Sequence, residues 1–146
     1  MANSFLNASN LPLGLRNNNP GNIRPLGKNK IWLGQVGVNK NFVVFSDVSY
    51  GIRAIAKNAI TQITKNGKNT VQKYITAYAP PSDGNDTAKY IKSVSMALGV
   101  KPNAVIKPTF RVLHKLIRIH IINEISQHSK LISDADITLG IIKTEK

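Results

Sequence analysis

Apolar residues recur at helical spacing along most of this chain. In 47–66, Ile52, Ile55, Ala59, Ile60 and Ile63 fall on one face, with Asp47 or Ser49 placed to cap the start and Gly67 to stop the end. A second helix is predicted over 70–79, closed by Pro80-Pro81, and a third over 87–98, between Asp86 as N-cap and Gly99 as stop. The longest spans 109–127 and starts beside Pro108, and a short capped helix spans 133–143. Residues 102–106 read as a turn. "NFVVFS" (41–46) is aromatic and β-branched, which predicts a strand. Residues 14–40 are rich in Asn, Gly and Pro and read as turns. The predicted class is mainly α, or α+β with a minor strand element. Residues 1–13 are expected to be a flexible tail, and 14–146 a single domain.

Composition narrows the function. At 146 residues the chain is long enough for a real core, and 42% hydrophobic residues argue against global disorder. There is no Cys, which excludes disulfides and thiolate chemistry. The first 20 residues lack the basic and apolar regions of a secretion signal, so none is expected. No apolar run approaches about 18 residues, so no transmembrane segment is expected. Lys and Arg total 20 against 7 acids, a formal charge of +13. Such a surface favours an anionic partner: nucleic acid, phospholipid headgroups or an acidic cell envelope. The plainer reading of the charge is solubility.

Acids are scarce, so an acid–base enzyme has few to choose from. Glu124 follows the stripe Phe110, Leu113, Ile117, His120 and Ile121, four residues after His120 and on the same face. A Glu at the end of an apolar face is poorly solvated, which disfavours its charged form and suits a general acid. The competing reading is a Glu turned to solvent or paired with one of many cations. His120 reads as a packed core residue rather than a base, and the three His have no spacing that supports a metal site. No metal and no cofactor are expected.

The blocks "RNNNPGNIR" (16–24), "WLGQVG" (32–37), "NFVVFSDVSYGIRAIAK" (41–57), "YAPPSDGNDTAKYIKSV" (78–94) and "SDADITLGI" (133–141) resemble a family of small bacteriophage virion proteins. That family includes structural proteins and peptidoglycan-degrading enzymes, and the resemblance covers about residues 14 to 142. A weaker resemblance is to autolysin-type N-acetylglucosaminidases. It runs in the same order through Asn19-Pro20-Gly21-Asn22-Ile23-Arg24, Trp32, Gly34, Phe42, Phe45, Gly51-Ile52-Arg53 and Tyr90. In those enzymes the catalytic Glu lies upstream of the Asn-rich block, at a helix end. Here no acid lies upstream of Asp47, and Glu124 ends a helix near the C-terminus. The two resemblances together imply a lysozyme-like fold, circularly permuted, with the acid-bearing helix moved to the back of the chain. The phage family has a His-Glu-Asn-Gly block at this point. This chain reads Asn123-Glu124-Ile125-Ser126, keeping the Glu and changing its neighbours.

The function these resemblances imply is cleavage of the peptidoglycan glycan strand, by a lytic transglycosylase or a glucosaminidase/muramidase route, with Glu124 as general acid and base. Asn19, Asn22, Arg24, Trp32, Asp86 and Tyr90 are the expected substrate-binding residues. Asn side chains offer paired donors and acceptors to hydroxyls and acetamides, and Trp32 or Tyr90 can stack on a sugar face. The competing reading has Asn19 and Asn22 tying down their own turns and Trp32 plugging the core. Glycosidases usually use two carboxylates, and partners for Glu124 would come from Asp47, Asp83 or Asp86. Acid scarcity favours a one-carboxylate reaction. The implied setting is a virion component acting at the host envelope, in the periplasm, with other virion proteins and anionic envelope polymers as partners. The alternatives are a non-enzymatic virion protein and a basic nucleic-acid binder. Only charge supports the last, since no recognition-helix signature or aromatic ladder is present.

Overall fold

A computed structural model describes residues 3–145. The described residues form six α-helices and one two-stranded antiparallel sheet. In chain order these are α1 (Leu13–Arg16), β1 (Gln35–Asn39), β2 (Phe42–Phe45), α2 (Val48–Thr64), α3 (Val71–Tyr78), α4 (Thr87–Leu98), α5 (Phe110–Ile125) and α6 (Asp134–Ile142). The protein is mainly α with a minor β element. The chain divides into two compact units, Met1–Lys57 with His120–Lys146, and Asn58–Ile119.

The first unit is built around the hairpin. β1 and β2 pair through Val38–Val43 and Asn39–Phe42, and a shift in register falls between Gln35 and Gly37. The two-residue loop, Lys40-Asn41, has both φ angles positive, 50° and 69°, as a tight hairpin requires. β1 reads as turn in the sequence because the loop lacks a Gly and the strand itself contains one. Its exposed Val36 and Val38 leave no buried face to recognise.

The other edge of β2 is covered by the Asn-rich segment. Val43 N–H donates to the Ile23 carbonyl (3.0 Å), and Phe45 N–H to the Asn17 carbonyl (2.9 Å). The Val43 and Phe45 carbonyls in turn accept from the side-chain amides of Asn19 (2.9 Å) and Asn18 (3.0 Å). Side-chain amides thus complete a third strand's pattern and leave no open edge here for another chain to pair with. Under the hairpin, Trp32, Val43, Phe45 and Ala54 form a buried cluster, with Ile23 and Tyr50 against it.

Asp47 caps α2, its Oδ1 accepting from Ser49 N–H (2.9 Å) and from the Ser49 hydroxyl. The first turn of α2 lies against Asn18: a Cβ at Gly51 would collide with the Asn18 carbonyl oxygen. Ser133 and Asp136 form a capping box on α6. The buried Asp136 carboxylate also accepts from Asn3 Nδ2 through both oxygens, at 3.1 and 3.0 Å. The segment read as a flexible tail carries further bonds to the body of the unit. Val48 N–H donates to the Asn3 carbonyl, Phe5 N–H to Asn18 Oδ1 and Asn18 Nδ2 to the Ser4 hydroxyl.

The second unit is helical. Thr70 caps α3 and Asp86 caps α4, each side chain accepting from the amide three residues on. Gly99 ends α4, and Arg111 takes up carbonyls of its last turn, donating to Leu98 (2.9 Å) and Ala97 (3.2 Å). The turn after α4 returns to α3: Gln72 N–H donates to the Pro102 carbonyl (3.0 Å), and Thr70 bridges to Val105. Val71, Tyr74, Ile75, Val94, Leu98 and Leu113 are buried. Phe110, expected on the apolar stripe of α5, is 50% exposed and lies beside the His114 ring instead.

Candidate functional site

The Asn-rich turn of the first unit is a rigid scaffold. Leaving α1, the amides of Asn17, Asn18 and Asn19 donate back to the carbonyls of Leu13, Leu15 and Gly14. Asn19 then closes the next turn: Asn22 N–H donates to its carbonyl (3.0 Å), Ile23 N–H donates to its Oδ1 (2.8 Å), and its Nδ2 reaches the Ile23 carbonyl (2.9 Å). Asn18 and Asn22 both sit in the left-handed region, at φ 53° and 49°. Among residues with a side chain, Asn adopts that conformation most readily.

The Asn22 side chain leaves the turn in another direction, toward α5. Asn22 Nδ2 donates to Glu124 Oε2 at 2.9 Å, across 102 residues of sequence. Both residues are partly exposed, so Glu124 is not sealed in the apolar interior as its stripe suggested. The last turn of α5 that carries Glu124 is anchored by the buried Ile121 and Ile125. Close approach of α1 is part of the same geometry. A Cβ at Gly14 would stand 3.1 Å from Asn22 Oδ1 and 3.3 Å from Ile125 Cγ2, tighter than ordinary contact. One turn earlier on α5, His120 is held neutral, since burial lowers its imidazole to about 3.

The remaining expected binding residues divide by location. Asn19 has no exposed surface, and its amide and carbonyl oxygen are committed to Ile23 and Val43, so it builds the turn and has nothing left for a ligand. Trp32 is likewise not a stacking platform. The residue is 9% exposed within the hairpin cluster and its indole N–H donates to the Arg24 carbonyl (3.0 Å). Arg24 itself is exposed, with its guanidinium 4.9 Å from the centre of the Phe42 ring. Asp86 and Tyr90 belong to the second unit, where Asp86 caps α4 and Tyr90 is a partly exposed residue of its first turn.

Three residues of this scaffold escaped the sequence reading: Gly14, Asn17 and Asn18. The three consecutive Asn ahead of an aromatic β-branched strand were the available signal. Nothing local said that the side-chain amides of Asn18 and Asn19, and the backbone carbonyl of Asn17, would bond that strand.

Among the described residues, no group of three His, Asp or Glu side chains converges to hold a metal ion, and no helix is long and apolar enough to cross a membrane. The chain matches no protein-family model and no curated protein sequence.

Proposed function

We propose that the protein cleaves the glycan strand of peptidoglycan, with Glu124 acting first as general acid and then as base. The observation that carries this reading is the Asn22–Glu124 hydrogen bond. It joins the Asn-rich turn, the part of the chain most similar to wall-degrading proteins, to the Glu that the helix pattern singled out. On this reading the lysozyme-like arrangement is retained in permuted order.

The chemistry needs a carboxyl that is accessible yet fixed. The Asn22 amide fixes one oxygen of Glu124 and with it the plane of the group, while partial exposure lets a substrate reach it. Glu124 would give its proton to the glycosidic oxygen as the C1–O bond breaks. The resulting carboxylate would then take the proton of the muramyl 6-hydroxyl as that oxygen bonds to C1, closing an anhydro ring. A one-carboxylate route is favoured because other acids have structural work. Asp47 and Asp86 each cap a helix, and the Asp136 carboxylate completes the capping box of α6 by accepting from Ser133 N–H. The same reading places the protein in a phage particle acting at the host envelope, with Arg24 as a binding residue for an anionic part of the wall.

Purified protein acting on sacculi, with products identified by mass spectrometry, tests this. The expected products end in anhydro-muramyl residues, one water lighter than hydrolysis products. Glu124→Gln is expected to keep the fold and lose at least about a hundredfold in rate. Lysis by that variant at the wild-type rate would end the proposal.

A further inference from the structure

Gly67 is the one glycine of this chain that follows an asparagine. The pair closes α2. Asn66 N–H donates to the Thr61 carbonyl (3.1 Å), and Gly67 turns the chain away at φ 70°. Both residues are exposed, and a Cβ built on Gly67 would meet nothing within 4 Å. The next amide is also taken, Lys68 N–H donating to the Gln62 carbonyl (2.9 Å). Gly67 N–H, between those two, has no hydrogen-bond partner among the described residues.

A free amide nitrogen directly after a carboxamide is a nucleophile one ring closure away from an electrophile. Attack on Asn66 Cγ closes a five-membered ring, and glycine brings no side chain to obstruct it. Asn66 Oδ1 accepts no bond among the described residues, so water can solvate the charge it gains as the nitrogen adds. Lys65 and Lys68 flank the pair and favour that negative charge. The leaving nitrogen, Nδ2, donates to Gln62 Oε1 (2.6 Å), an exposed bond that water replaces at little cost.

Other sites lack one of these features. Asn22 precedes the β-branched Ile23, whose N–H is held by Asn19 Oδ1. Asn19 precedes Pro20, which has no amide proton. Asp83 precedes Gly84, but that amide donates to the Pro81 carbonyl (3.0 Å), and a carboxylate is a poorer electrophile than a carboxamide.

We propose that Asn66 is a self-modifying site that deamidates through the Gly67 nitrogen. Gly67 N–H loses its proton to hydroxide and the nitrogen bonds to Asn66 Cγ. The Cγ–Nδ2 bond then breaks, and Nδ2 leaves as ammonia with a proton from water. Water opens the cyclic imide at either carbonyl. Cleavage at Cγ leaves aspartate. Cleavage at the main-chain carbonyl leaves isoaspartate, with the chain rerouted through Cγ. Either product removes one unit from the formal charge of +13. Either also sets a carboxylate against Gln62 Oε1 and at the C-terminal end of α2, where the helix dipole disfavours it. The site is independent of the glycan-cleavage reading.

Ageing the purified full chain in buffer, at mildly acid and mildly alkaline pH, tests it. The free peptide of residues 64–70, aged alongside, supplies the unhindered rate. Each event adds about one dalton, peptide mapping locates it, and methylation by an isoaspartyl methyltransferase marks the isoaspartate. The folded chain is expected to convert at Asn66 within about tenfold of the peptide, as an exposed helix end allows. Conversion is expected to be faster at alkaline pH, because the attacking nitrogen must lose its proton. Asn66→Gln is expected to abolish it over the same period, since attack there must close a larger ring. Conversion at Asn66 more than about tenfold slower than in the peptide overturns the proposal. So does earlier conversion at another Asn, or an undiminished mass gain in Asn66→Gln.

Discussion

Asn19 and Asn22 stand three residues apart in the same turn and do different work. Asn19 is fully buried and makes three side-chain bonds to backbone groups, so Asn19→Ala leaves buried partners of Ile23 and Val43 unsatisfied. The expected cost is on the order of 3 kcal/mol, read as a fall in the urea midpoint. Asn22 bonds the Glu124 carboxylate and adopts a positive φ. Asn22→Gly preserves that backbone and removes only the amide. It is expected to lower kcat on wall fragments about tenfold with KM little changed, since the amide orients the acid and does not hold the substrate. A rise in KM at constant kcat would make Asn22 a substrate contact instead. Trp32 carries the same lesson. A lone Trp in a polar loop is compatible with either a platform or a plug, and only the buried hairpin cluster around it makes it a plug.

At the scale of elements, α5 combines an apolar packing face with a partly exposed Glu at its end. Its apolar stripe supplies buried anchors at Leu113, Ile117 and Ile121, and its final turn presents Glu124. His120 lies on that stripe and is neutral, lowered from 6.5 to about 3 by desolvation. The sign of its effect follows. Above about pH 6.5 the imidazole is neutral both folded and unfolded, and it contributes no pH dependence. As pH falls from 6.5 toward 3, the unfolded chain takes up a proton that the folded chain refuses, so stability is lost across that window. Chemical denaturation at pH 7.5 and at pH 5 is expected to show the lower stability at pH 5. His120→Gln is expected to shrink the difference, and an undiminished difference would assign the pH dependence to other groups. The hairpin illustrates the opposite case, an element whose local signals were weak. Lys40 at φ 50° is an unusual turn residue, tolerated because the strands on either side pair and β2 is bonded along its second edge.

At the scale of the whole molecule, the basic charge is spread unevenly along the chain. Residues 58–119 hold half of the Lys and Arg but only two of the seven acids. Long-range attraction to an anionic envelope is screened over roughly 10 Å at 0.1 M salt, so it acts on encounter rather than on bond cleavage. Raising salt is expected to weaken binding to whole sacculi strongly and to change turnover on short soluble glycan fragments little. Equal sensitivity on both substrates would place the charge effect at the site of cleavage. Binding to sacculi that ignores salt would leave the basic surface without a role in this reading.

Helices α2 to α6 were legible in the sequence because their signals are local, whereas the one-turn α1 falls where the sequence reads as tail and turn. Spacing near 3.6 places apolar residues on one face, and Asp47, Asp86 and Ser133 each bond an amide two or three residues away. The position of Glu124 at the end of the apolar stripe was legible for the same reason, but its partial exposure was not. β1, the roles of Asn17 and Asn18, and the burial of Trp32 were decided by tertiary structure. Each depends on a partner distant in the chain: the second edge of β2 for the Asn amides, the hairpin cluster for Trp32. The Asn22–Glu124 bond is the extreme case. No local energetic preference links residues 102 positions apart, and only the folded first unit, with Gly14 admitting α1 close to the turn and to Ile125, brings the amide to the carboxylate.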